Sequence, residues 1–277
     1  MNRKSSNVTD VELGIALENN LIEQIKFYAT SSIVKYYDNV NMTRFVTGFP
    51  VSTLNLIAGA KLKSNKIDQE IERALNPFKK EQGFPMIWWV GPNTEPHNIG
   101  NYLEKKGFKR IFDMSGMYFD LENLGRMLIL PPNFRFELVE SEQDLRIWAE
   151  TQTRAYEGDL ANIEFIYKFE KSLGLGPNLP WKRFVGYMKE NPVAVSILFE
   201  GTEVAGIFNV ATIPKIRRTG IGTIMTNMLL FKARELGYEI SVLKATPMGE
   251  KLYQSLGFIE CCKIRAFFLK SYNDQFH

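Results

Sequence analysis

The chain has 277 residues, 45% hydrophobic and 23% charged, with a formal net charge of +3 and a pI near 8.7. That is enough for one large or two ordinary globular domains, and a basic balance this mild, with Lys and Arg scattered, does not point to nucleic acid. The two adjacent cysteines, Cys261 and Cys262, cannot build a disulfide framework, and with only His97 and His277 no metal site is expected.

The cysteines read as small buried strand residues in a reducing compartment. Residues 1–7 are followed by Asp10 and Glu12 where a secretory signal needs its apolar run, and no apolar segment reaches membrane-spanning length. A cytoplasmic protein without membrane contact is the expectation.

In chain order, residues 7–37 carry a helical pattern long enough for more than one helix. Residues 45–50 and 54–58 read as strands, 67–78 as an amphipathic helix with apolar positions 67, 71, 74, 75 and 78, and 85–90 as a strand. A short helix over 98–106 finishes as Tyr102-Leu103-Glu104-Lys105-Lys106-Gly107-Phe108. Pro131-Pro132-Asn133 forbids helix and sheet interior, so residues 126–133 are expected to link a first domain, 1–125, to a second, 134–277.

The second half restarts with an alternating strand over 134–139 and a helix opened by Ser141-Glu142-Gln143-Asp144. A helix over 162–173 and a loop over 174–180 lead to three antiparallel strands, 181–189, 192–200 and 204–211. The turn Pro214-Lys215-Ile216-Arg217-Arg218-Thr219-Gly220-Ile221-Gly222 follows, then a long helix, a strand over 238–243, and a short helix ending Tyr253-Gln254-Ser255-Leu256-Gly257-Phe258. The last strand, 259–269, is expected to complete this sheet.

That turn suits an anion. Glycines 220 and 222 allow close backbone approach, the helix opening there aims unpaired amides and a positive dipole end at the same space, and Arg217 and Arg218 add permanent charge. Strand, helix, strand, short helix, Gly-Phe, strand occurs in both halves and reads as an internal repeat. In the first copy Leu103 stands where the second has Tyr253, and Gly59-Ala60-Lys61-Leu62-Lys63-Ser64 replaces the anion turn. The alternative is that helix-Gly-Phe-strand is a common local device and the first half another α/β arrangement.

Arg217-Arg218-Thr219-Gly220-Ile221-Gly222 resembles the acetyl-CoA motif of the GNAT acyltransferase superfamily, Arg or Gln, two residues, Gly, one residue, Gly or Ala. Tyr253, four residues ahead of Gly257-Phe258, matches the family's last segment. The resemblance implies an α/β fold of the α+β type: a mixed, largely antiparallel sheet flanked by helices, twice in tandem, the first copy degenerate. It also implies an N-acetyltransferase using acetyl-CoA as co-substrate, with no metal, acting on a small-molecule or peptide amine.

Residue by residue, the resemblance assigns the diphosphate to Arg217, Arg218, Thr219, Gly220, Ile221, Gly222 and Thr223. The pantetheine arm falls to Asn209, Val210, Ala211, Thr212 and Ile213, with Thr246 where the family often has Asn. Tyr253 would donate the proton to the leaving thiolate, since a phenol is protonated at neutral pH. Asn209 stands where many members carry a carboxylate base and would orient a water or the acceptor. Deprotonation of the amine would then fall to a water chain or to a carboxylate near the acceptor side, Glu157, Asp159 or Glu164, with Trp181, Phe165 and Tyr156 expected as lining. The rival from another class is a non-catalytic acyl-CoA sensor or scaffold; nucleic-acid binding rests on Lys215-Ile216-Arg217-Arg218 alone, and a homodimer is left open.

Overall fold

The computed structural model describes residues 8–39, 41–63, 65–80 and 83–270, so the readings made on residues 1–7, Ser64 and His277 lie outside it. The chain divides into two compact units, Thr9–Gly116 with the chain's end from Cys261, and Met117–Glu260. The division falls before the 126–133 connection and gives the end of the chain to the first unit.

In the first unit Thr9 caps α1 (Asp10–Tyr28) reciprocally with Glu12, whose carboxylate accepts the Thr9 amide at 2.9 Å. Helix ends there. β1 (Lys35–Asn39) pairs antiparallel with β2 (Met42–Val46), Tyr36 opposite Phe45, so residues 35–37 are strand and not the continuation of a helix. β3 (Asn55–Ala58), α2 (Ile67–Lys80), β4 (Met86–Val90), α3 (Ile99–Lys105) and β5 (Lys109–Asp120) follow. The apolar stripe of α2, Ile67, Ile71, Ala74, Leu75 and Phe78, is buried against the sheet with Ile57, Trp88 and Leu103.

In the second unit β6 (Phe134–Leu138) leads to α4 (Glu142–Ala155), capped by Ser141 and Asp144 as expected, and α5 (Ile163–Ser172). β7 (Trp181–Met188), β8 (Asn191–Glu200) and β9 (Ala205–Thr212) are the three antiparallel strands. After α6 (Ile221–Glu235), β10 (Ile240–Ala245) pairs parallel with β9, and α7 (Glu250–Leu256) precedes β11 (Ile259–Leu269).

The last strand does not complete the second sheet. Arg265–Leu269 of β11 pair antiparallel with β4, and the neighbour of β10 is β5, whose Met117 and Phe119 are buried in the second unit's core. β5 and β11 each start in one unit and finish in the other. The order strand, helix, strand, short helix, Gly-Phe recurs with the same helix end. Gly107 (φ 84°) and Gly257 (φ 101°) let the next amide turn back, Phe108 to the Leu103 carbonyl at 3.1 Å and Phe258 to the Tyr253 carbonyl at 3.0 Å.

Candidate active site

β9 bulges and then loses a neighbour. Ile197 pairs with Phe208 and Val195 with Ala211, so Asn209 and Val210 face Ser196 alone, and Asn209 takes φ 50°, a left-handed conformation Asn tolerates. On the other side the parallel pairing with β10 covers only Ala205, Gly206 and Ile207, opposite Ser241, Val242 and Leu243. From Phe208 onward one backbone edge of β9 is unpaired, with Asn209, Val210, Ala211 and Thr212 along it. The Ile213 amide bonds back to the Val193 carbonyl at 2.9 Å, anchoring the strand's end.

The chain then turns through Pro214–Ile216 to Arg218 (φ 67°) and Gly220 (φ 86°), the residue before α6. No side chain caps α6, so the first-turn amides of Ile221, Gly222 and Thr223 have no intrahelical acceptor and face outward. Thr219 closes the turn, its hydroxyl donating to the Ile216 carbonyl at 2.7 Å. A Cβ on Gly222 would stand 3.0 Å from Leu252 Cδ1, so this glycine lets the helix start lie against α7 next to Tyr253.

The two arginines differ. Arg218 is exposed beside the open amides. Arg217 turns inward: its guanidinium donates to the carbonyls of Thr212 (3.2 Å) and Ala155 (2.7 Å) and pairs with Glu157 at 2.7 Å. It ties the turn to the ends of β9 and α4. Thr246 is likewise engaged, its hydroxyl accepting the Gly249 amide at 3.3 Å and so shaping the entry to α7.

Tyr253 is half-buried and meets Phe258 edge-on at 5.7 Å. Burial, and then the nearby Tyr156 phenol, hold its hydroxyl well above the ordinary phenol range, so it is a proton donor at any physiological pH. Tyr156 is 53% exposed as a whole, yet desolvation at its hydroxyl end pushes that group up to about 12. The acceptor-side carboxylates are engaged elsewhere: Glu157 with Arg217, Asp159 with the Ala161 amide at 2.9 Å, and Glu164 with Arg146 at 2.8 Å, which holds it below the usual carboxylate range. Trp181 does not line an opening. It is 1% exposed, packed on Phe199 and Phe208, with its indole N–H on Glu170 at 3.0 Å.

One group escaped the sequence reading. Lys244 lies near the end of β10, part-buried, its amine over the Phe208 ring at 5.8 Å from the centroid, and desolvation lowers that amine to about 7. The signal was a single lysine inside Ile240-Ser241-Val242-Leu243-Lys244-Ala245, a run otherwise fit for a buried parallel strand.

Residues 140–260 match the family described as Acetyltransferase (GNAT) domain. No curated protein matches the chain in sequence. Among solved structures, a GCN5-related N-acetyltransferase from Kribbella flavida is similar with a TM-score of 0.69 at 16% identity, over 92% of this chain and 95% of that one. A functionally unknown conserved protein from Staphylococcus epidermidis gives 0.63 at 10% identity, over 86% and 94%. A tandem GNAT protein from the clavulanic acid biosynthesis pathway gives 0.55 at 11%, over 92% and 95%. The likeness is one of fold: a mixed sheet flanked by helices.

Proposed function

We propose that this chain, whose residues 140–260 match the GNAT acetyltransferase domain, moves an acetyl group from acetyl-CoA to a primary amine by direct transfer, in the cytoplasm. The observation that carries the reading is the unpaired edge of β9 running into an uncapped helix start. Along Asn209, Val210, Ala211 and Thr212 the backbone groups that point away from β8 would pair with a pantetheine arm as a neighbouring strand would, while Ile213, its amide bonded to the Val193 carbonyl, and the Thr212 carbonyl, held by Arg217, fix the end of that edge. The amides of Thr219, Gly220, Ile221, Gly222 and Thr223, with the Arg218 guanidinium, receive the diphosphate. Arg217 and Thr246 shape the two turns that hold this arrangement. Tyr253 gives its proton to the departing sulfur, and Asn209 at the bulge orients the acceptor or a water.

The acceptor is a small-molecule or peptide amine. The first unit is a degenerate copy that supplies no donor site. The second reading, an acyl-CoA sensor without turnover, is favoured by one observation, the amide of Asn209 in place of a carboxylate at the bulge. Acetyl-CoA should raise the melting temperature under both readings. Release of free thiol from acetyl-CoA with any member of an amine panel supports the enzyme. No thermal shift with either CoA or acetyl-CoA refutes both.

A further inference from the structure

β6 is the last strand of the sheet, with β7 and β8 between it and the open edge of β9. Its register with β7 sets Arg135 opposite Tyr187 and Glu137 opposite Val185, which puts these four side chains on one face. Where β6 runs into the start of α4 lies a cleft of about 340 Å³, within the size range of small-molecule sites. Three carboxylates line it, Glu137, Glu140 and Asp144, together with Val139, Val185 and Tyr187.

These polar groups are not used up within the chain. Glu137 gives one oxygen, Oε1, to Arg135 at 2.8 Å, and Asp144 gives Oδ2 to the amide and hydroxyl of Ser141. Glu140 is exposed and has no hydrogen bond or ion pair among the described residues. Tyr187 is 8% exposed, yet its hydroxyl has no partner among the described residues either. A buried hydroxyl left in that state marks a place for an outside polar atom. Desolvation, and then the charges of Glu137 and Asp144, keep the phenol protonated. Arg135, over the Tyr187 ring at 5.1 Å, is already balanced by Glu137 and by Glu190 at 3.0 Å, and Glu142 and Asp144 offset the positive end of α4. The cleft keeps a negative charge.

We propose that this cleft binds an organic ammonium, the nitrogen held by Glu140, Asp144 and the Tyr187 hydroxyl, the carbon chain against Val139 and Val185. A metal ion needs its oxygens drawn tightly together, and among the described residues no three His, Cys, Asp or Glu side chains stand close enough to hold one. Separated carboxylates beside valines suit a cation whose bulk is hydrocarbon. The site is not the acceptor side expected around Tyr156, which lies at the opposite end of the 14-residue α4, about 20 Å away at 1.5 Å per residue.

The test is a titration with n-butylammonium chloride at constant ionic strength and without acetyl-CoA, followed by ligand-observed NMR. Wild type should show saturable binding that n-butanol does not compete for and that an equal concentration of calcium leaves in place. Glu140→Gln should weaken it about tenfold and Tyr187→Phe about fivefold, with melting temperatures held because neither group is bonded within the chain. No saturable binding, wild-type affinity in both variants, or displacement by calcium overturns the assignment of the cleft. None of the donor residues takes part, so failure here leaves the reading of acetyl transfer where it stands.

Discussion

Arg217 and Arg218 are neighbours of equal charge, and side-chain direction separates their roles. Arg217 holds two carbonyls and a carboxylate, so Arg217→Ala should cost about 2 kcal/mol of stability by stranding those acceptors, a loss of several degrees in a thermal melt. Arg218 is exposed beside the open amides, so Arg218→Ala should leave the melt unchanged and weaken acetyl-CoA about tenfold in calorimetry. Equal effects of both substitutions would contradict that division. Tyr253→Phe removes the hydroxyl we assign as proton donor and keeps the ring against Phe258, so kcat should drop about 100-fold with CoA affinity unchanged. At this scale the turn before α6 was legible through Gly220, whose φ of 86° favours glycine, whereas Arg217 and Tyr253 were singled out only by the family resemblance. The inward turn of Arg217 was not legible, since its partners Ala155 and Glu157 are some sixty residues away in sequence.

At the scale of elements, α5 is pinned to β7 by a buried network. The Glu170 carboxylate takes Arg183 Nε at 2.6 Å and the Trp181 indole at 3.0 Å, while Arg183 also reaches the carbonyls of Gly174 and Glu170. Glu170→Ala leaves a buried guanidinium short of its charge partner and should cost about 3–5 kcal/mol, seen as a lowered urea midpoint. The double change Glu170→Leu with Arg183→Met should recover most of it; no recovery would mean the network positions the loop after α5 rather than balancing a charge. Strands 181–189, 192–200 and 204–211 were legible by alternation and the turns between them, as were α2 by its stripe and α4 by its capping pair. The bulge at Asn209 and Val210 was not, because it exists only in the register with Ser196. Residues 35–37 were taken into the end of a helical pattern, because their pairing with β2 is a long-range register that no local period announces.

At the scale of the molecule, the repeated element order was legible and the path of β5 and β11 was not. Nothing in Gly107-Phe108 or Gly257-Phe258 tells whether the strand that follows returns to its own half or goes on to pair elsewhere. Our reading of the first unit as a degenerate copy without a donor slot draws on the connection after its parallel pair. β3 and β4 run parallel like β9 and β10, yet beyond them the chain stays tied: the Glu95 amide reaches the Ala60 carbonyl at 2.8 Å and the Leu62 amide reaches the Glu95 carbonyl at 2.9 Å. Glu18 from α1 fills the space at the end of β4, accepting from the Asn93 amide at 2.7 Å and the Thr94 hydroxyl at 3.0 Å, so close to Gly91 that no Cβ would fit there. An extended pantetheine would have to break those backbone bonds, about 1 kcal/mol each, and displace a carboxylate whose proton affinity burial has already raised. Titration calorimetry with acetyl-CoA should therefore give one site per chain, abolished by changes around Gly220 and untouched by Glu18→Gln. Two sites per chain, or one that survives disruption of the Gly220 turn, would place a working donor slot in the first unit and end its reading as a degenerate copy.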